Sequence, residues 1–134
     1  MSQKTKSQED YLRAIYHFFE EGKRVRSVDV AEYLKVSKPS VAEMTSSLVK
    51  MGFIAKNRYS SIKLTKKGAE EARKITNKHR IIEVFLTEFL KMEKKNLHEE
   101  AHRLEHAFSD NVVKRLGVLL KKPKKCPHGK PIMR

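Results

Sequence analysis

The residues best suited to chemistry lie in one run, His98-Glu99-Glu100-Ala101-His102-Arg103-Leu104-Glu105-His106. It contains no Gly, Pro or β-branched residue, so it reads as helix. His98, His102 and His106 recur every fourth position and Glu105 falls between the last two, which points all four into one sector of a 3.6-residue helix. Neighbours three or four residues apart stand roughly 5–6 Å from each other at Cβ, so two imidazoles and a carboxylate can converge on one cation. Such a donor set suits divalent first-row metals, Mn, Fe, Co, Ni or Zn. The same residues also allow two other readings. An exposed, mixed-charge helix can carry histidines that bind nothing, and His102-Arg103-Leu104-Glu105-His106 fits H-x-x-E-H, the inverted zinc-peptidase signature in which the Glu is a base.

Composition weighs on that choice. The 134 residues suffice for one domain or two small ones, and 30 Lys and Arg against 16 Asp and Glu give a net charge of +14. That balance favours a polyanionic partner, nucleic acid before a membrane, because counterion release from phosphates rewards a basic face. A single cysteine allows no intramolecular disulfide, and no apolar run approaches the roughly 18 residues of a membrane span, so the expectation is a cytoplasmic protein. A peptidase would need a third ligand and a cleft, yet the 28 residues after His106 offer no acidic side chain except Asp110. Glu105 therefore reads as a ligand and the chain as a non-enzyme. A DNA-binding protein with an incidental His stripe is the other alternative.

Around the stripe, the elements follow from periodicity and caps. Residues 1–7 are a polar, frayed start, and Tyr11, Leu12, Ile15, Phe18 and Phe19 then mark an amphipathic helix from Gln8 to Glu21. After a short extended link at residues 23–26, Ser27 is placed to cap a brief helix to Leu34. Ser37 caps the next, with Pro39 in an early position where its missing N–H costs nothing. That second helix runs to about Met51, with Val41, Met44, Leu48 and Met51 inward. Two short helices joined by a tight turn, followed by β-like runs at residues 53–56 and 62–65 around a basic tip, give the order of a winged helix-turn-helix. A long helix from about Lys67 to Leu90 leads into the stripe helix and a last helix capped by Ser109. Leu104, Phe108, Val112, Leu116 and Leu119 are too apolar to leave exposed on so small a unit, so burial in a homodimer is expected. The fold is thus expected to be mainly α. A winged-helix domain spans 1–66, a helical metal-binding and dimerisation domain 67–122, and a basic Pro-rich tail 123–134. Cys126 and His128 in that tail invite a metal reading, but C-x-H alone is weak, and the tail is read as disordered or loosely docked.

These residues resemble the metal-dependent repressors of the diphtheria toxin repressor and manganese transport regulator type. The resemblance is carried by Glu9-Asp10-Tyr11-Leu12, by Val36-Ser37-Lys38-Pro39-Ser40-Val41 at the recognition-helix entry, and by Leu64-Thr65-x-x-Gly68 leaving the wing. The His98–His106 run and Cys-Pro-His-Gly-x-Pro-Ile near the end complete it, so it covers nearly the whole chain. It implies two metal positions: Asp10, His102, Glu105 and His106 at the one controlling DNA binding, and His79, Glu83 and His98 at the other. The iron-type members carry Met and Cys where Asp10 and His102 stand, and the manganese-type members carry acidic residues where Arg13 and His102 stand. The implied cofactor is Fe2+ or Mn2+, which Zn2+, Co2+ or Ni2+ can replace, and every implied ligand atom is oxygen or nitrogen. The implied function is a metal-dependent, sequence-specific repressor. By matching position Ser37, Pro39 and Glu43 face base edges, while Ser27, Lys38, Ser40, Ser46, Ser47, Lys50, Arg58 and Ser60 are candidates for phosphates.

Overall fold

The computed structural model describes residues 5–57 and 61–132. Its elements, in chain order, are α1 (Lys6–Glu20), β1 (Val25–Arg26), α2 (Ser27–Leu34), α3 (Lys38–Lys50), β2 (Ile54–Lys56), β3 (Ser61–Leu64), α4 (Lys66–Glu88), α5 (Lys94–Glu105) and α6 (Asp110–Leu119). The chain divides into two compact units, one ending at Lys74 and the other beginning at Ile75, so the division falls inside α4.

The N-terminal unit is the expected winged helix, with differences that trace to side-chain caps and pairing. Helix α1 begins at Lys6 instead of Gln8, because Thr5 and Gln8 cap it reciprocally. The Thr5 hydroxyl accepts from the Gln8 N–H at 3.1 Å, and Gln8 Oε1 accepts from the Thr5 N–H at 2.9 Å. The expected link at residues 23–26 contains a strand: β1 pairs antiparallel with β3, Val25 opposite Ile62, in a sheet of order β1-β3-β2. Two residues are too few to show alternation, so only the partner reveals the strand. Ser27 is the first residue of α2, not its cap; Asp29 Oδ2 accepts the Arg26 N–H at 2.8 Å and closes that end.

Helix α3 is capped as expected by Ser37, whose Oγ accepts from the Ser40 N–H at 3.2 Å, with Pro39 in the first turn. Its buried face is Val41, Thr45 and Leu48, while Met44 and Met51 are only partly buried. Thr45 can sit inside because its hydroxyl donates to the Ala42 carbonyl at 3.1 Å. With Leu12, Ile15, Val30, Ile54 and Ile62, these side chains form the core under the helix-turn-helix. The wing is tied to α4 by Thr65, whose hydroxyl donates to the Gly52 carbonyl at 2.6 Å and accepts from the Gly68 N–H at 3.0 Å. Gly68 lies against the Phe53 carbonyl, where a Cβ would collide with backbone.

In the C-terminal unit Ile82, Leu86, Leu97 and Ala101 form the centre of a helical core, against which Phe85, Met92, Leu104, Phe108 and Leu116 pack partly buried. Residues 124–132 do not behave as a loose tail. Lys125 bridges Pro131, the Ile132 N–H donates to the Lys124 carbonyl at 2.8 Å, and the Arg80 guanidinium on α4 donates to the Pro131 carbonyl at 2.7 Å. No helix among the described residues is long and apolar enough to cross a membrane.

Candidate functional site

Two buried carboxylates, both 2% exposed, organise the titratable side chains of the C-terminal unit: Glu83 on α4 and Glu105 at the last turn of α5. Each is ringed by imidazoles. Glu105 Oε1 lies 3.8 Å from His102 Nε2 and 3.7 Å from His106 Nε2, and its Oε2 lies 3.3 Å from His79 Nδ1. Glu83 Oε2 lies 3.6 Å from His79 Nε2, 3.9 Å from His98 Nδ1 and 3.3 Å from His128 Nδ1. His79 therefore presents one ring nitrogen to each carboxylate, and its Nε2 is also 3.1 Å from His98 Nδ1.

The stripe on α5 does not act as a single sector. Eight residues turn a 3.6-residue helix about 80° past two full turns, so His98 and His106 diverge. In addition α5 ends at Glu105 and His106 is its C-cap residue. His98 accordingly turns to Glu83, while His102 and His106 turn to Glu105. The ligand atoms of His102, Glu105 and His106 lie within 4.8 Å of one another, as do those of His79, Glu83 and His98. Asp10 lies half-buried on α1 in the N-terminal unit.

A third grouping comes from the segment expected to be a loose tail. Cys126, 6% exposed, and His128 also bring ligand atoms within 4.8 Å of each other and of Glu83. They are held there by the turn of residues 126–130: the Cys126 N–H donates to the Lys130 carbonyl, and the Gly129 N–H to the Cys126 carbonyl, both at 2.9 Å, with Gly129 at φ +81°. A thiol thus stands beside the oxygen and nitrogen donors expected from the sequence. A C-x-H spacing alone carries little signal. The buried Arg80 on α4 holds the segment through the Pro131 carbonyl, a contact the sequence does not announce.

The donor set fits a divalent cation. Glu83 Oε2 is buried and accepts no hydrogen bond among the described residues, an arrangement that costs free energy unless a positive group meets it. Burial alone would raise the Glu83 carboxyl, but His79 and His98 at its oxygen and the charge of His128 outweigh it and hold the group down at about 2. The carboxylate is thus ready as an anionic ligand across the physiological range. Imidazole nitrogen and carboxylate oxygen around each buried acid are the donors that Mn2+, Fe2+ and their neighbours accept.

On α3 the candidate DNA contacts divide by what else they do. Lys38, Pro39, Ser40, Glu43, Ser46 and Lys50 are exposed, and Ser47 is partly buried with its Oγ accepting from Gln8 Nε2 at 3.4 Å. The Ser37 hydroxyl is engaged at the helix cap, donating to Ser40 Oγ at 2.8 Å. Ser27 is half-buried. Arg58 and Ser60 lie outside the described residues. Val36 and Val49 are 37% and 42% exposed. Of the residues expected at a dimer seam, Leu104, Phe108 and Leu116 pack against their own unit's core, whereas Val112 and Leu119 are 41% and 55% exposed.

Comparison with known proteins agrees with this division of labour. Residues 3–62 match the model of the iron-dependent repressor N-terminal DNA-binding domain, and residues 65–134 match that of the iron-dependent repressor metal-binding and dimerisation domain. The chain is 40% identical over 119 residues to an uncharacterised HTH-type transcriptional regulator of Methanocaldococcus jannaschii, covering 88% of this chain and 95% of that protein. It is 35% identical over 124 residues to the diphtheria toxin repressor of Corynebacterium diphtheriae, covering 92% of this chain but 55% of the repressor. A solved manganese-dependent transcriptional repressor in complex with manganese superposes with a TM-score of 0.89 at 31% identity, over 95% of this chain and 58% of that one.

Proposed function

Because the chain belongs to the iron-dependent repressor family, whose members are metal-dependent DNA-binding regulators and not enzymes, we propose that it is a divalent-metal-dependent repressor that binds operator DNA as a homodimer. Fe2+ or Mn2+ is the proposed signal, with Zn2+, Co2+ or Ni2+ able to substitute. The observation that carries the reading is the Glu105 carboxylate, buried and faced by His79, His102 and His106 in the unit that matches the metal-binding domain.

His102, Glu105 and His106 are the proposed ligands of the controlling position. Asp10 joins them on the family pattern alone, and His79, Glu83 and His98 are proposed for the other position. A bound dication supplies the positive charge that makes it favourable to hold these side chains together. Such a preference shifts a conformational equilibrium only by the difference in affinity between DNA-competent and incompetent arrangements. Pro39 and Glu43 are the proposed base-edge readers; a Glu can accept from cytosine N4 and a Pro can touch a thymine methyl. Lys38, Ser40, Ser46, Lys50, Arg58 and Ser60 are proposed for phosphates, with Ser27 and Ser47 as lesser candidates given their partial burial. The Ser37 hydroxyl serves the helix cap, so its proposed contribution to DNA is to set the entry of α3.

Selection from random duplexes, run anaerobically with Mn2+ or Fe2+ and again with a chelator, tests the proposal. A two-fold symmetric sequence should be enriched only with metal. Glu105→Ala should lose that enrichment while keeping weak, salt-sensitive binding to any DNA, since it removes no DNA-facing charge. Equal enrichment with and without chelator, or a Glu105→Ala protein that still responds to metal, would overturn it.

A further inference from the structure

We propose that the N-terminal unit holds a ligand site of its own, a cavity between the end of α1 and β3 that takes a small amphipathic carboxylate of the medium-chain fatty-acid class.

The cavity follows from how α1 ends. Gly22 stands at φ +70°, its N–H donates to the Phe19 carbonyl, and the Lys23 N–H donates to the Phe18 carbonyl, both at 3.1 Å. This glycine cap spends the Lys23 amide on the helix, so the chain joins the sheet only at Val25, opposite Ile62. On the far side of β3 the Asn57 N–H donates to the Ser61 carbonyl and the Thr65 N–H to the Phe53 carbonyl. Ser61, Lys63 and Thr65 therefore turn their backbone groups toward β2, and by alternation Ile62 and Leu64 turn theirs the opposite way. Ile62 meets Val25 there. Past the end of β1, the Leu64 N–H has no hydrogen-bond partner among the described residues.

The gap left by the missing strand pairs is a cavity of about 390 Å3, within the range of roughly 300–1,000 Å3 that holds small organic ligands. Ile15, Phe19, Val25, Ile62 and Leu64 give it apolar walls, and its charged lining among the described residues is Lys23, Arg24 and Lys63. Lys23 is paired with Glu21 at 3.0 Å, whereas Arg24 and Lys63 are exposed and have no ion pair among the described residues. Each feature selects one part of the ligand. An apolar body fits the walls, and a carboxylate answers an amide N–H in a cavity that also carries a guanidinium and an ammonium. A nucleic-acid backbone would leave the apolar walls uncovered. A peptide added as a strand would find one free N–H on this edge, where strand addition draws on several.

Decanoate is the probe, kept below the concentration at which it aggregates and added to the full chain, metal-free and without DNA. A titration followed by amide NMR should saturate, with the largest shifts at Gly22, Val25, Ile62 and Leu64. Decanol has the same chain without the charge and should bind about tenfold more weakly, the worth of one charge-assisted hydrogen bond. Arg24→Glu and Lys63→Glu, both at exposed positions, should each weaken decanoate binding by a similar factor and leave decanol binding and the unfolding midpoint unchanged. Binding that does not saturate, decanol as tight as decanoate, or shifts centred on the exposed Val118 and Leu119 of α6 would overturn the proposal. So would charge reversals that leave decanoate affinity as it is in wild type. The comparison of decanoate with decanol is made on wild type, so a variant that fails to fold does not decide the outcome. No arm needs metal or operator, so the result stands apart from metal-dependent operator selection.

Discussion

Ser37 shows how one side chain is claimed by structure before function. Its hydroxyl accepts from the Ser40 N–H and donates to Ser40 Oγ, from the cap position just before α3. A cap of this kind stabilises a helix by about 1 kcal/mol. Ser37→Ala is therefore expected to lower the urea-unfolding free energy of the chain by about 1 kcal/mol. It should weaken binding to every DNA sequence by a similar factor, leaving the preferred operator unchanged. A changed operator in a selection experiment, with unfolding unaltered, would show that Ser37 reads a base instead. Glu43 makes the complementary case: it is exposed in the middle of α3, away from both caps, and free to be chosen for recognition.

Between elements, the contact that fixes the wing is backbone against backbone. Gly68, at the start of α4, lies on the Phe53 carbonyl just before β2, and Thr65 N–H donates to that same carbonyl at 3.0 Å. Lys67 adds a second tie, donating to the Met51 carbonyl at 2.9 Å while lying 4.8 Å over the Phe53 ring. A methyl group at Gly68 has no room unless β2 or α4 moves. Gly68→Ala should cost about 1–3 kcal/mol or more, as over-packing does. The loss should appear in denaturant unfolding of metal-free protein. An unchanged midpoint would mean that the helix and wing separate easily, and that the glycine serves some other purpose. In the helix-turn-helix, by contrast, the left-handed position is filled by Lys35 at φ 57°, a side chain tolerated where glycine would be less strained.

For the whole molecule, self-association is the property most exposed to test. Val112 and Leu119 are seven residues apart on one face of α6 and remain exposed, and Phe89 and Leu90 after α4 are 51% and 56% exposed. Leu116 instead packs against the unit's own core, so a charge there would damage folding as well as assembly. The informative variant is Leu119→Glu. It should keep its helical content yet weaken dimerisation by about 100-fold or more, reflecting the roughly 3 kcal/mol cost of a buried unpaired charge. Sedimentation equilibrium at micromolar concentration reads the outcome. An unaltered dimer would place the seam on another face, and a monomeric wild type would remove the dimer from the proposal.

Whatever depends on neighbours within a few turns is legible in the chain itself. Ser37 and Pro39 announce the start of α3, the period of three and four announces α1, and the His and Glu spacing on α5 announces ligands, because helix geometry and cap chemistry are local. Leu64-Thr65-x-x-Gly68 likewise marks the wing's exit in letters that the structure explains. Tertiary structure alone decided which partner each group meets. The strand at Val25–Arg26 exists because β3 lies beside it, and Thr45 is buried because its hydroxyl is satisfied within the helix that covers it. Helix geometry turns His98 away from His106, but only the core decides that His98 meets Glu83 on α4 while His102 and His106 meet Glu105. Cys126 and His128 reach Glu83, more than forty positions earlier in the chain. Spacing along a helix fixes which side chains can share a face, but distance across a core is set by packing, and no local period records it.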